Sequence, residues 1–203
     1  MTKFFFLGLE FDTGNKVYNP AEDSILLADA VEIAENSSVL DLGCGTGIQG
    51  INALDKCAGK VLFADICEDS LLCAKKNTEI LRCKKNKENK KIGKTIFRKS
   101  NLFENIPEKF DCIIFNSPYV PTDKIKYKNL DGGKKGREVL DRFIDEFKKH
   151  LNPDGHCFFL QSTLNDIKKT EKKITEIGMK HEIKKRKKLF FEEIIVFRTE
   201  HKK

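Results

Sequence analysis

Residues Val39–Gly47 read VLDLGCGTG. A short apolar run, Ser37–Leu42, has the composition of a buried strand, and Ile48–Leu54 behind the glycines reads as a helix. Gly43, Gly45 and Gly47 therefore fall where a strand turns into a helix. There the absence of side chains lets backbone come close to a ligand. Dinucleotide folds use G-x-G-x-x-G at this turn to cradle phosphates. The pattern here is D-x-G-x-G-x-G, with Asp41 two positions before the first glycine. A second strand, Lys60–Asp65 (KVLFAD), ends in another acid 18 positions beyond Gly47.

Outward from this unit the chain keeps alternating. On the N-terminal side, Ala21–Ala34 carries Ile25, Leu26, Ala30, Val31 and Ala34 at helical spacing, after a turn at Val17–Pro20. On the other side, a helix is expected over Asp69–Leu81, a polar basic loop over Lys84–Lys91 and a third strand over Thr95–Arg98. A fourth strand, Asp111–Phe115, runs into NSPYVPT. Then follow a Gly/Lys loop from Asp131 to Lys135, a helix over Arg137–His150 and a turn at Asn152–Gly155 (NPDG). A fifth strand at His156–Gln161, a helix at Asn165–Ile177 and two terminal strands, Met179–Ile183 and Ile194–Arg198, complete the series. Strands alternating with helices predict a doubly wound α/β sheet. The last two strands, with little helix between them, predict an antiparallel terminal pair. The expected architecture is one Rossmann-like domain over residues 1–203, with residues 1–20 as a strand and turn extension. Its sheet is seven-stranded and mostly parallel, with an antiparallel C-terminal strand.

Composition narrows the class. A chain of 203 residues with 39% hydrophobic content supports one sizeable core. The opening MTKFFFLGLEFDTG has one Lys and no small-residue cleavage site, so a strand is expected rather than a signal peptide. No apolar run approaches the roughly 20 residues that span a bilayer. The seven Cys contain no Cys-x-x-Cys pair, which fits free thiols in a reducing compartment. The expected location is the cytoplasm, with the nucleus also open. Cys67, Cys73 and Cys83 are spaced wrongly for zinc, and the four His are scattered, so no metal is expected in this chain. The net charge of +7 is uneven: −7 over residues 1–79, +8 over 80–100, −1 over 101–167 and +7 over 168–203. The Lys-rich 84–94 stretch reads equally as a docking surface or as a solvated face.

The acidic, glycine-rich turn suits a ligand that carries positive charge instead of phosphate. S-adenosylmethionine has an ammonium and a sulfonium. Asp41 can meet the ammonium directly or through water, and Asp65 can accept both ribose hydroxyls. Asn101, after the third strand, is either a turn residue or an acceptor for the adenine amine. Ile66 and Leu102, each one position beyond Asp65 and Asn101, are placed with the cofactor too. These residues, with Asn116, fall at the carboxyl ends of strands, where ligands of open α/β sheets bind.

The fourth strand ends in Asn116-Ser117-Pro118-Tyr119. An amide or ring-conjugated amine is a poor nucleophile because its lone pair is delocalised. Two acceptors, the Asn116 side-chain oxygen and the Ser117 carbonyl, can hold both N–H bonds and aim the nitrogen at a methyl donor. Tyr119 can stack on the flat group. This tetrapeptide resembles the N-P-P-Y or D-P-P-Y of amino-methyltransferases, with Ser117 in place of the first Pro. The position is expected to contribute its carbonyl, so the chemistry tolerates the change.

Two longer segments, VYNPAEDSILLADAV (Val17–Val31) and DGGKKGREVLDRF (Asp131–Phe143), join NSPYV in resembling the HemK-like protein-(glutamine-N5) methyltransferases of the eukaryotic and archaeal branch. The resemblance covers about residues 16–198. It implies methylation of the Gln in the Gly-Gly-Gln loop of a class-1 translation termination factor. It also implies a pocket partly lined by the PAEDS segment, with Glu22 and Asp23 toward the substrate and Ser24 toward the cofactor. It further implies a small zinc-ribbon activator protein as heterodimeric partner, since only about 20 residues precede the first motif, whereas bacterial relatives carry a helical domain there. The activator is expected on an exposed edge strand, Thr95–Arg98, with apolar neighbours such as Ile92 and Phe97. The alternatives are a nucleic-acid adenine or guanine amino-methyltransferase, a protein lysine methyltransferase, and a non-catalytic cofactor-binding scaffold. Tyr119 as sole stacking aromatic argues against the first. A lysine acceptor must lose a proton first and would give a rate rising with pH. The intact Asn116 and Tyr119 oppose the last.

Overall fold

The computed structural model describes residues 4–14, 16–120 and 132–202. Asp131, and residues 121–122 of NSPYVPT, lie outside them. Strands β1 (Phe4–Phe6) and β2 (Leu9–Phe11) form a small hairpin. Helix α1 is Glu22–Ala30, strand β3 Ser38–Leu42, helix α2 Ile48–Asp55, strand β4 Lys60–Asp65 and helix α3 Glu68–Lys87. Strands β5 (Lys94–Lys99) and β6 (Phe110–Asn116) precede helix α4 (Glu138–Glu146) and strand β7 (Leu151–Ser162). Helix α5 (Ile167–Glu176) and strands β8 (Met179–Lys188) and β9 (Glu193–His201) finish the chain.

The main sheet has the order β5-β4-β3-β6-β7-β9-β8. The first five of these strands are parallel, and β9 runs antiparallel to both its neighbours. Chain order reverses between β3 and β6, which opens a crevice beyond their carboxyl ends. Alternation along each strand splits the core in two. Val39, Val61, Phe63, Ile114 and Phe158 pack on the face covered by Leu27 of α1, Ile51 of α2 and Ala74 of α3. Leu40, Leu62, Ile113, Phe115 and Phe159 pack on the opposite face with Leu140 and Phe143 of α4 and Ile174 of α5. Among the described residues no helix is long and apolar enough to cross a membrane.

Several elements differ from the sequence reading. The expected single N-terminal strand is a hairpin, because Leu7 and Gly8 turn with positive φ. Helix α1 stops at Ala30 instead of Ala34, and both Ile25 and Ala34 are exposed. Its buried face holds Asp23 and Ser24 beside Leu27, Ala28 and Ala30. The basic stretch from Lys84 is not a loop at its start: α3 continues to Lys87, as Lys and Arg are good helix formers and sit favourably in a last turn. The Asn152–Gly155 turn lies within the span of β7, where the register with β6 jumps from Phe110–Leu151 to Cys112–His156. The helices expected at Arg137–His150 and Asn165–Ile177 are shorter as α-helix, with 3-10 turns at Phe147–His150 and Thr163–Asn165.

Candidate active site

A cavity of about 510 Å³ occupies the crevice at the β3/β6 reversal, within the range of small-ligand sites. Asp41, Asp65, Ser24, Asp23, Asn116 and Tyr119 all line it, as do Gly43, Gly45, Ile66, Asn101, Leu102, Ser117 and Pro118. Gly47 and Glu22 do not line it. Gly47 begins α2 with φ +83°, and a Cβ there would lie 2.9 Å from the Ala74 Cβ. Its missing side chain serves the contact between α2 and α3. Glu22 is exposed and pairs with Lys187 at 2.9 Å.

At one end of the cavity the two acids hold the glycine turn in shape. Asp41 is 2% exposed and accepts the Gly50 N–H at 2.8 Å. Burial pushes its carboxyl well above the usual range, against that hydrogen bond, and the charge of Asp65 adds to the rise. Asp65 accepts Gly45 N–H at 3.0 Å through one oxygen and Cys67 N–H at 2.8 Å through the other. Burial raises its pKa too, opposed by those N–H groups. The Ser70 side chain and the Ile66 N–H also bond to this carboxylate, so a ligand donor at Asp65 would take the place of one of these bonds. A Cβ at Gly45 would meet nothing nearer than 4.0 Å, so the wall there is open. Asn101 donates its Nδ2 to Glu104 at 2.6 Å. The partner is a carboxylate, so the amide orientation is fixed and Oδ1 is the atom left to accept.

At the other end stands Asn116. Its Nδ2 donates to Asp23 Oδ2 at 3.1 Å and to the Ser24 hydroxyl at 3.3 Å. Asp23 in turn accepts the Tyr18 hydroxyl at 3.0 Å and the Ser24 N–H at 2.6 Å through Oδ1. A carboxylate can only accept here, so the Asn116 amide has one possible orientation. Its Oδ1 is buried and has no hydrogen-bond partner. An orphaned buried acceptor is costly and marks a place where a donor is meant to arrive. Ser117 is 2% exposed and gives its hydroxyl to the Leu160 carbonyl at 2.5 Å. This ties the peptide that follows Asn116 to β7. Burial, with the charges of Asp23 and Glu192, pushes the Tyr119 phenol far up, so it stays neutral.

The turn carrying Tyr119 is clamped from behind. Asn165, fully buried, donates its Nδ2 to the Tyr119 carbonyl at 2.9 Å and to the Lys135 carbonyl at 3.1 Å. The Arg137 guanidinium in turn donates to the Asn165 carbonyl. A Cβ at Gly136 would fall on the Tyr119 carbonyl, which accounts for glycine in the GGKKG stretch. Sequence reasoning missed Tyr18, Gln49, Arg137 and Asn165. Gln49 lines the cavity, with Nε2 on the Ser24 carbonyl at 2.9 Å and a buried, unpartnered Oε1. Only its place two positions into the helix behind the glycine turn could have flagged it. Among the described residues no group of three or more His, Cys, Asp or Glu gathers as a metal site.

The profile of the methyltransferase small domain family matches residues 21–191. A protein of Methanocaldococcus jannaschii, named provisionally as a protein N5-glutamine methyltransferase, is 42% identical over 93% of this chain and 94% of its own length. The chain belongs to the protein N5-glutamine methyltransferases. Human methyltransferase HEMK2 is 32% identical over 71% of this methyltransferase and 70% of its own length. A solved E. cuniculi Mtq2-Trm112 complex, described as responsible for methylation of the eRF1 translation termination factor, superposes with a TM-score of 0.67. It is 28% identical, covering 92% of this chain and 99% of that one. Membership implies S-adenosylmethionine as methyl donor. The cavity suits that molecule: the acids Asp41 and Asp65 line it as candidate partners for the ammonium and the ribose hydroxyls, and Gly45 leaves room beside Asp65.

Proposed function

We propose that this methyltransferase moves the methyl group of S-adenosylmethionine to the side-chain amide nitrogen of the Gln in the Gly-Gly-Gln loop of a class-1 translation termination factor. The observation that carries the reading is the buried, unpartnered Oδ1 of Asn116, aimed by the bonds from Nδ2 to Asp23 and Ser24. S-adenosylmethionine supplies an electrophilic methyl on a sulfonium. The protein's part is to present the acceptor. Asn116 Oδ1 takes one N–H of the planar amide and the Ser117 carbonyl takes the other. Held at two points, the nitrogen keeps one direction of attack and gains acceptors for the positive charge that develops on it. Tyr119 covers the flat amide and excludes water. No side chain needs to remove a proton before transfer. As the N–CH3 bond forms the S–CH3 bond breaks to leave a neutral thioether, and the methylated nitrogen then releases one N–H proton to solvent. The relatives named above support Gln as the acceptor.

The partner belongs to the same proposal. A small zinc-ribbon activator covers β5, making the working enzyme a heterodimer in the cytoplasm. In its support, β5 is an outer strand of the sheet, and Leu72 and Ile80 on the adjoining α3 are exposed. The expected apolar neighbours Ile92 and Phe97 are instead half-buried against the core, Phe97 stacked on Phe63. The Mtq2-Trm112 complex offers a precedent for a two-chain enzyme. Retention of the activator on co-purification after β5 is disrupted would refute this placement.

The deciding experiment is transfer of labelled methyl to purified termination factor, wild type and with the loop Gln changed, with and without the activator. Labelling that needs both the Gln and the activator is expected. Labelling of the Gln-free factor, or none from a complex that binds S-adenosylmethionine, would refute the assignment.

A further inference from the structure

Phe190 and Phe191 are 91% and 86% exposed. Single exposed apolar residues are ordinary, but these two are adjacent and packed edge-to-face, with ring centroids 4.6 Å apart. They form the tip of the β8–β9 hairpin, closed by the Leu189 N–H on the Glu192 carbonyl at 2.7 Å. The hairpin is tied down on both sides. Lys187 pairs with Glu22 at 2.9 Å, and the Glu193 N–H donates to the Thr163 hydroxyl at 3.0 Å. Leu189 packs against the same apolar cluster as Tyr119. The rings are therefore presented on a fixed support, which lowers the entropy cost of using them in an interface.

Their position matters more than their exposure. Ile194 at the start of β9 lies opposite Ser162, two residues beyond Leu160, which is the partner of Asn116. The tip thus extends past the carboxyl ends of the strands that carry the acceptor motif. Glu192 is near enough for its charge to act on the Tyr119 phenol. A glutamine side chain is short. With its nitrogen at Asn116, its main chain lies at the rim, and the rest of the protein must pass over that rim. Of the flanking cations, Lys185 faces Asp29 at 3.7 Å, Arg186 faces Glu193 at 3.1 Å and Lys187 faces Glu22, while Lys188 is exposed. What the tip offers outward is two aromatic rings, the material of protein interface anchors, beside one exposed lysine, too little positive charge to track a run of phosphates.

We propose that the Phe190–Phe191 tip is a docking anchor for the folded protein acceptor, seating in an apolar recess outside its acceptor loop. This rests on the glutamine reading above. The test is steady-state methylation of intact termination factor by the full chain with its activator, comparing wild type, F190A/F191A and F190L/F191L. The alanine pair is expected to raise KM for the factor roughly tenfold while kcat and S-adenosylmethionine affinity stay within about twofold, and the leucine pair to recover most of the loss. An unchanged KM in the alanine pair, with wild type active, overturns the docking role alone. So does a matching fall in cofactor affinity, which would make the tip a support of the pocket. A wild-type chain that self-associates through the tip on sedimentation, or loses nucleic-acid or vesicle binding with the alanine pair while the KM for the factor holds, overturns it in favour of those occupants. Wild-type inactivity toward the factor overturns the acceptor assignment, and the anchor falls with it.

Discussion

The two ends of the cavity are built differently. At the glycine-turn end, Asp41 and Asp65 already hold backbone N–H groups within one β-α-β unit. At the acceptor end, Asn116 is aimed by Asp23, 93 residues earlier in the chain, and its free oxygen bonds to nothing. One end is a local structure that a charged ligand completes. The other is a long-range assembly that orients a buried, unpartnered acceptor beside the cavity. Binding and turnover should therefore separate under mutation.

The strongest way to break that contrast is Asn116→Ala. It removes the orphaned acceptor and should lower kcat about 100- to 1,000-fold, with S-adenosylmethionine affinity nearly unchanged by calorimetry. An equal loss of cofactor affinity would mean that the two ends are one site. Asp65→Ala should act the other way, costing about 1.5–3 kcal/mol of cofactor binding. Asp65 also anchors Gly45 and Cys67, so slower hydrogen exchange at those amides in wild type than in the variant should accompany the loss. Unchanged affinity would remove Asp65 from the cofactor end.

Gly47→Ala sharpens the comparison, since Gly47 belongs to the motif but not to the cavity. A left-handed backbone and the Ala74 contact should cost about 2 kcal/mol of folding stability in urea titration. Cofactor affinity should fall less than in Asp65→Ala. If affinity falls as far without loss of stability, Gly47 touches the ligand after all.

The same contrast governs what the sequence could tell. Strand, glycine turn, helix and second acid follow each other along the chain, so periodicity and spacing carried them, and Lys60–Asp65 coincides with β4. The acceptor tetrapeptide was readable as a motif; of its orienting partners, Asp23 and Ser24 were placed at the pocket only by the family resemblance, and Tyr18 was not placed at all. Nothing local to Asn116 names Asp23, Ser24 or Tyr18. The α1 stripe failed for a related reason: a helix normally buries its apolar face, while this one buries Asp23 and Ser24 and leaves Ile25 in solvent. The Asn165 clamp on Tyr119 was illegible because it spans 46 residues and ends on a backbone carbonyl.

The smallest expected effect concerns the support behind the acceptor end. Partial burial disfavours the Asp141 carboxylate, but hydrogen bonds from Arg137 and Lys169, with the charges of Arg137 and Lys173, outweigh that and bring its pKa down to about 2. A lowered folded pKa stabilises the protein above the ordinary aspartate range. That contribution is lost as pH falls from about 4 to about 2. Solvent screening limits it to roughly 1 kcal/mol. Asp141→Asn should flatten this part of the urea-midpoint profile. Asp41 titrates with the opposite sign. Burial raises its folded pKa, so its favourable contribution is present at low pH and lost as pH rises through and above the ordinary range. Asp41→Asn should therefore remove a fall in stability above the ordinary aspartate range and leave the loss between about pH 4 and 2, which Asp141→Asn flattens, unchanged. If Asp41→Asn also changes the slope between about pH 4 and 2, the acids at the cofactor end and behind the acceptor end share one electrostatic environment, and the division drawn between them is wrong.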